Sequence, residues 1–166
     1  MAPLFEGAPG FLWRLAAAGR PFGSTAALFD RARVVAHQLP EVLQLELVDA
    51  HPRLGAPPAS VSAMSFREQG YDTEAAEALA SEAALAREVV ARELERLNRE
   101  YEWRFGFRYC VFVAGRSRAA LIPGFAAALA VDRESELHRA LDAVVDIAID
   151  RASSDLGADV DVRRTA

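Results

Sequence analysis

The sequence predicts an all-α fold, a single-domain multi-helix bundle with one extended aromatic segment, and three observations predict it. The chain is rich in alanine and leucine, both strong helix formers. Opposite charges recur at i and i+4, as in Glu88/Arg92 and Glu95/Arg99, the spacing that pairs side chains on a solvated helix face. Apolar residues return every three or four positions in most segments, the period of a helix with one buried side. The 166 residues suffice for one domain with a sizeable core, and no internal repeat or linker divides them.

From the N-terminus, Gly10 to Ala18 reads as a helix closed by Gly19, with Arg20-Pro21-Phe22-Gly23 as a turn. Ser24 caps a second helix whose stripe is Leu28, Ala32, Val35 and Leu39; His37 falls opposite the stripe and reads as a surface residue. Pro40 stops that helix and suits the first turn of a third, through Leu43 and Leu47. This one has to finish at His51, because a residue before proline is pushed out of the α region. His51 therefore sits at a helix end and faces a flexible loop, Arg53 to Ser60, rich in turn formers.

A long helix is expected over about Thr73 to Trp103, with Ala86, Val90, Leu94, Leu97 and Tyr101 as its buried face. Phe105 to Gly115 is the one stretch with strand composition; with no second strand to pair, it reads as extended chain threading between helices. Helical pattern resumes near Arg118, is disturbed at Pro123-Gly124, and returns from an Asp132 cap through Leu137, Leu141, Val144 and Ala148 to Arg151. The polar residues from about 157 to 166 read as a loose tail.

A net charge of −5 and a pI near 5.3 argue against a nucleic-acid partner, since backbone binding needs a basic patch that releases counterions. Scattered arginines suit a small-molecule substrate instead. Cys110 is the single cysteine, so it forms no intrachain disulfide, and it reads as a buried thiol. His37, His51 and His138 lack metal-ligand spacing, so no metal is expected. No apolar run approaches the roughly 20 residues of a membrane span, and Pro3, Pro9 and Arg14 interrupt any signal-like stretch, so a cytoplasmic protein is expected.

Four positions carry possible chemistry. On a helical wheel Leu137, Ala140, Leu141, Val144, Ala148 and Arg151 share one arc, in which Arg151 is the only charge. It either snorkels outward at a helix C-terminus or aims its planar fork into a pocket to hold a carboxylate or ureido oxygen. Ser65 and Glu68 have the spacing of a capping box. His51, taken alone, is a helix-end histidine bonded to a carbonyl. Together they amount to a proton carrier at a helix end, a loop, a polar cluster and an inward arginine, and imidazole both gives and takes protons near neutrality.

The order of several short motifs resembles the 2-oxo-4-hydroxy-4-carboxy-5-ureidoimidazoline (OHCU) decarboxylase family of uric acid breakdown. The motifs are Phe5-Glu6-Gly7-Ala8-Pro9, Arg20-Pro21-Phe22, His51-Pro52-Arg53-Leu54-Gly55, Ser65-x-x-Glu68-Gln69, Leu97-Asn98-x-x-Tyr101, Phe105-Gly106-Phe107, Gly115-Arg116-Ser117 and Ile147-Ala148-x-x-Arg151. The resemblance implies an all-helical homodimer that converts OHCU to (S)-allantoin with no metal or organic cofactor. It implies His51 and Glu68 as catalytic residues. Substrate contacts fall to Pro52, Ser65, Gln69, Arg151 and the main chain of Tyr109, Cys110, Val111, Phe112 and Val113. The chain departs from the family pattern at Arg108, where proline is common. Two rivals stand beside this reading: a relative acting on another ureido or oxo acid, and a helical dimerisation or binding module in which these residues only cap and pack.

Overall fold

A computed structural model describes residues 4–19, 22–71 and 81–164. Among the described residues there are seven α-helices and no strand: α1 (Pro9–Ala17), α2 (Thr25–Gln38), α3 (Glu41–Asp49), α4 (Ala63–Glu68), α5 (Ser81–Phe105), α6 (Arg118–Ala128) and α7 (Arg133–Arg164), with a 3₁₀ turn at Pro58–Ser60. The all-α expectation holds. Arg20-Pro21 and the expected first turns of the long helix, from Thr73 to Ala80, lie outside the described residues. Contacts group the chain into two compact units, Met1–His51 with Leu137–Ala166, and Pro52–Glu136.

In the first unit the helix boundaries follow the local chemistry of the chain. Ser24 accepts a hydrogen bond from the Ala27 N–H at 3.1 Å and starts α2. Ala8, ahead of α1, has no side chain able to cap; Glu46 of α3 does so instead, accepting from the Gly10 N–H at 3.1 Å. A Cβ at position 10 would come within 2.8 Å of Leu43 Cδ2 and 3.2 Å of Glu46 Oε1, so a larger residue here makes the ends of those side chains shift. Phe5, Phe11, Leu15, Ala32, Leu47 and Val48 are buried with the inner face of α7, Leu137, Ala140, Leu141, Val144 and Ala148.

His37 is not the surface residue its position opposite the stripe suggests. It is half-buried, its Nε2 lies 2.9 Å from Asp142 Oδ1, and its ring meets that of His138 at 4.9 Å. Arg33, one turn earlier on α2, pairs with Asp142 at 2.8 Å and Asp146 at 2.7 Å. The stripe marks only the apolar contacts of α2, whereas its polar edge is matched by a carboxylate ladder at i, i+4 on α7.

In the second unit, Tyr101 of α5 is the hub of the core. Its ring packs against Phe105, Phe107, Tyr109 and Phe125 at centroid distances of 4.6, 5.6, 5.3 and 5.6 Å, and Tyr109 stacks on Phe125 at 3.8 Å. These rings anchor the segment after Phe105, which is extended without a ladder, as expected. Among the described side chains of α5, the buried ones are Leu94, Leu97, Asn98, Tyr101 and Phe105. Ala86 is exposed and Val90 only half-buried, so the apolar period of the first turns is not matched by packing within the described residues.

Two helices outrun their sequence signals. α6 continues through Pro123, which with Gly124 lies on the exposed side, at the loss of one main-chain bond to the carbonyl of Ala119. α7 continues past Arg151 to Arg164. No described helix is long and apolar enough to cross a membrane.

Candidate active site

The division between the units falls at the His51-Pro52 step. α3 ends at Asp49, and the N–H groups of Ala50 and His51 close it on the carbonyls of Glu46 at 3.0 Å and Val48 at 3.1 Å. His51 is 8% exposed. An imidazole at that depth meets water only at its edge, which suits a group that must hand a proton to a bound molecule rather than to solvent.

The chain that follows Pro52 is not a flexible loop. Gln69 accepts from the Gly55 N–H at 2.8 Å and donates to the Arg53 carbonyl at 3.3 Å, so its side-chain amide pairs with the main chain as a peptide would. Asn98 Nδ2 donates to the Leu54 carbonyl at 2.9 Å, and the Tyr71 hydroxyl to the Ala56 carbonyl at 2.5 Å. The Arg53 guanidinium forks onto Glu102, with Nε at 2.6 Å from Oε1 and Nη2 on Oε2. Glu102, chiefly through that hydrogen bond, pushes the Arg53 guanidinium above its usual value. Glycine and proline content alone suggests mobility; the side chains of Gln69, Tyr71, Asn98 and Glu102 remove it.

Ser65 is not the cap of a capping box. Ser62 caps α4, accepting from the Ser65 N–H at 3.2 Å and donating its hydroxyl to Ser65 Oγ at 3.2 Å. Ser65 is thereby carried into the first turn of α4 and buried, with Glu68 half-buried one turn on and the buried Gln69 at the helix end. The cluster Ser65, Glu68 and Gln69 thus occupies one short element.

Tyr109, Cys110 and Val113 are buried, with Val111 and Phe112 half-buried. Arg116 folds back on this segment, donating from Nε to the Val113 carbonyl at 2.9 Å and from Nη2 to the Phe112 carbonyl at 2.5 Å. The tight turn between them uses positive φ at Ala114 (53°) and Gly115 (70°). Arg151 is 5% exposed and donates from Nη1 to the Leu4 carbonyl at 3.3 Å. The reading of a snorkelling arginine at a helix end is therefore wrong, because α7 does not end there and the side chain points inward.

In the first unit His51 and Arg151 are both buried; in the second Ser65, Glu68, Gln69, Pro52 and the Tyr109–Val113 segment are found. No group of three or more His, Cys, Asp or Glu side chains among the described residues is placed to share a metal ion.

The sequence model of the OHCU decarboxylase family matches residues 1–153. The chain belongs to the OHCU decarboxylase family. As a member of that family it is a carboxy-lyase of purine degradation. Its fold is similar to that of an OHCU decarboxylase crystallised in the presence of (S)-allantoin, with a TM-score of 0.68 and 20% identity over 92% of this chain and 94% of that one. No curated protein sequence matches it.

Within this OHCU decarboxylase family member, Asn98, Tyr71, Glu102 and Arg116 shape the candidate site without having been singled out by their residue type. Leu97-Asn98 and Gly115-Arg116-Ser117 mark two of them as parts of the resemblance. Tyr71 and Glu102 carry no local signal, since each acts on main chain or on a side chain far along the sequence.

Proposed function

We propose that this protein decarboxylates OHCU to (S)-allantoin in uric acid breakdown, with His51 as the proton carrier. The observation that supports this reading is the buried His51 at the closed end of α3, directly before Pro52, in a chain of decarboxylase family. The bond to the carboxylate breaks, carbon dioxide leaves, and the electron pair moves toward the ring carbon-nitrogen double bond, so the substrate serves as its own electron sink. The protein has to orient and to protonate. His51 exchanges a proton with the ring hydroxyl and delivers one to a single face of the enol-like intermediate, which sets the S configuration.

Glu68 orients the imidazole or binds the hydroxyl. Ser65, Pro52 and the main chain of Tyr109 to Val113 contact the ring and ureido arm. Gln69 still has one amide hydrogen and one lone pair beyond its bonds to the turn, enough for a substrate contact. Arg151 grips an anionic or carbonyl oxygen. The protein works as a cytoplasmic homodimer.

The test generates the labile substrate from urate in situ and follows optical rotation. Faster appearance of dextrorotatory (S)-allantoin with the protein than without it is expected, and its loss in His51→Ala. An unchanged spontaneous rate with the wild type overturns the proposal; near-wild-type stereospecific turnover by His51→Ala overturns the role of His51 alone.

A further inference from the structure

We infer that Asn98 is a positioning residue for the reaction: with Gln69 it clamps the Arg53–Gly55 turn and so fixes the main chain into which the His51-Pro52 step leads. The inference rests on the proposed decarboxylation. Three successive main-chain groups, the carbonyls of Arg53 and Leu54 and the N–H of Gly55, are held by side-chain amides from two different helices. A turn normally satisfies itself locally or is hydrated, and only the Ala56 N–H, bonded to the Arg53 carbonyl at 3.0 Å, does the former here.

Little freedom is left upstream of the clamp. Proline fixes its own φ, the Arg53 carbonyl is bonded twice, and the Arg53 side chain is forked on Glu102. On the other side His51 is tied by its N–H to the end of α3. The step that carries the proton carrier is therefore held along the chain from both directions.

Asn98 is a costly residue for its place. It lies in the interior of α5, where asparagine is a weak helix former, and it is 4% exposed. Its Nδ2 also reaches the Leu94 carbonyl at 2.8 Å, a local bond that a helix does not require. Its Oδ1 is buried and meets no donor among the described residues, which counts against the folded state. A leucine fills similar volume without either penalty. What only the amide contributes is the bond to Leu54.

The experiment compares wild type, Asn98→Leu and the isosteric Asn98→Asp as full chains, measuring kcat and KM with substrate generated in situ, thermal stability, and amide hydrogen exchange at Gly55. Since an ångström of misplacement is worth up to about a hundredfold in rate, Asn98→Leu is expected to lower kcat at least about tenfold. KM should stay within about twofold, because Asn98 is not assigned a substrate contact, and Gly55 should exchange faster; the Leu54 carbonyl loses its donor, so melting is expected to fall modestly and kcat is compared per folded molecule. Asn98→Asp, which keeps the shape but loses the donor, should show the same split if the leucine packs poorly. Wild-type kcat in both variants, or a loss that only tracks the folded fraction, overturns the positioning role. An inactive wild type fails the functional reading in its own arm, whereas an active wild type with unimpaired variants fails the positioning role alone.

Discussion

Tyr101 donates its hydroxyl to Glu136 at 2.8 Å, and the carboxylate that receives it is only 1% exposed. Glu136 lies in the first turn of α7, where the helix dipole favours an anion, and its N–H closes on Asp132, whose side chain caps Ser135 at 2.9 Å. Tyr101 at the same time centres the aromatic cluster that anchors Phe107 and Tyr109. One residue thus ties α5, the extended segment and the start of α7 within one unit. Tyr101→Phe keeps the rings and removes one partner of a buried carboxylate, which costs about 1.5–3 kcal/mol for a bond to a charged group. Urea denaturation measures it. A loss below half a kcal/mol would show the hydroxyl to be dispensable, and Glu136→Gln in the same background should recover part of the loss by removing the charge.

Gly55 and Gly106 both adopt the left-handed region, at φ 80° and 78°, but their surroundings differ. A Cβ at Gly55 would meet Leu94 Cδ1 at 2.9 Å and Leu94 Cβ at 3.3 Å, whereas nothing lies within 4 Å at Gly106. Gly106→Ala is expected to lose only the backbone term, about 1–2 kcal/mol. Gly55→Ala should lose more, because Leu94 is itself fully packed. Combining it with Leu94→Ala should recover the part of the steric loss that Leu94 Cδ1 causes, leaving the backbone part and the remaining Cβ contact, as a double-mutant cycle by denaturation reads. Equal losses at the two glycines would refute the close approach.

The same contrast explains what was legible in the sequence. Helix starts at Ser24 and after Pro40 depend on residues three or four positions apart, and so does the arc from Leu137 to Arg151, all of it buried. The turn after Pro52 has only the local signal of a flexible loop, because its partners Gln69, Tyr71 and Asn98 are 14, 15 and 44 residues from the groups they hold. Ser65-x-x-Glu68 has the spacing of a capping box taken alone, but Ser62-x-x-Ser65 offers a cap three residues earlier and takes the helix start. Arg151 was ambiguous for a similar reason: spacing placed it on the inner arc, but only the continuation of α7 to Arg164 separates an inward arginine from a helix-end one.

The carboxyl of Asp142 gives the fold an acid limb. Burial opposes its charge, but hydrogen bonds from His37 and Arg33, with their charges, outweigh that and hold it below the ordinary aspartate range. Arg33 is correspondingly raised, first by its hydrogen bond to Asp146. A carboxyl depressed in the folded state contributes stability that is fully present above its unfolded value, near 3.8, and is lost as pH falls through the folded value. Wild type should therefore lose stability below about pH 4 more steeply than Asp142→Asn, the two curves converging in acid. Salt should shrink the difference at neutral pH, since the cluster is partly solvent-exposed. Parallel curves down to pH 2 would remove Asp142 from the account of acid stability.

Arg151 is the remaining test of the proposed chemistry. Its guanidinium is buried, with Nη1 on the Leu4 carbonyl, and its planar fork presents donors in fixed directions. Lysine at this position keeps the charge and most of the stem but supplies a point charge that cannot present two parallel N–H groups. If Arg151 grips the substrate, Arg151→Lys weakens a charge-assisted contact of about 1.5–3 kcal/mol, which is roughly ten- to a hundredfold in kcat/KM. The loss should fall chiefly on KM, because the grip is made in the ground state as well as the transition state. Melting should move by only a few degrees, since the bond to the Leu4 carbonyl can be kept by an ammonium. An unchanged KM with a strongly lowered melting temperature would instead make Arg151 a strut for the N-terminal segment, and the anion grip would have to be sought elsewhere.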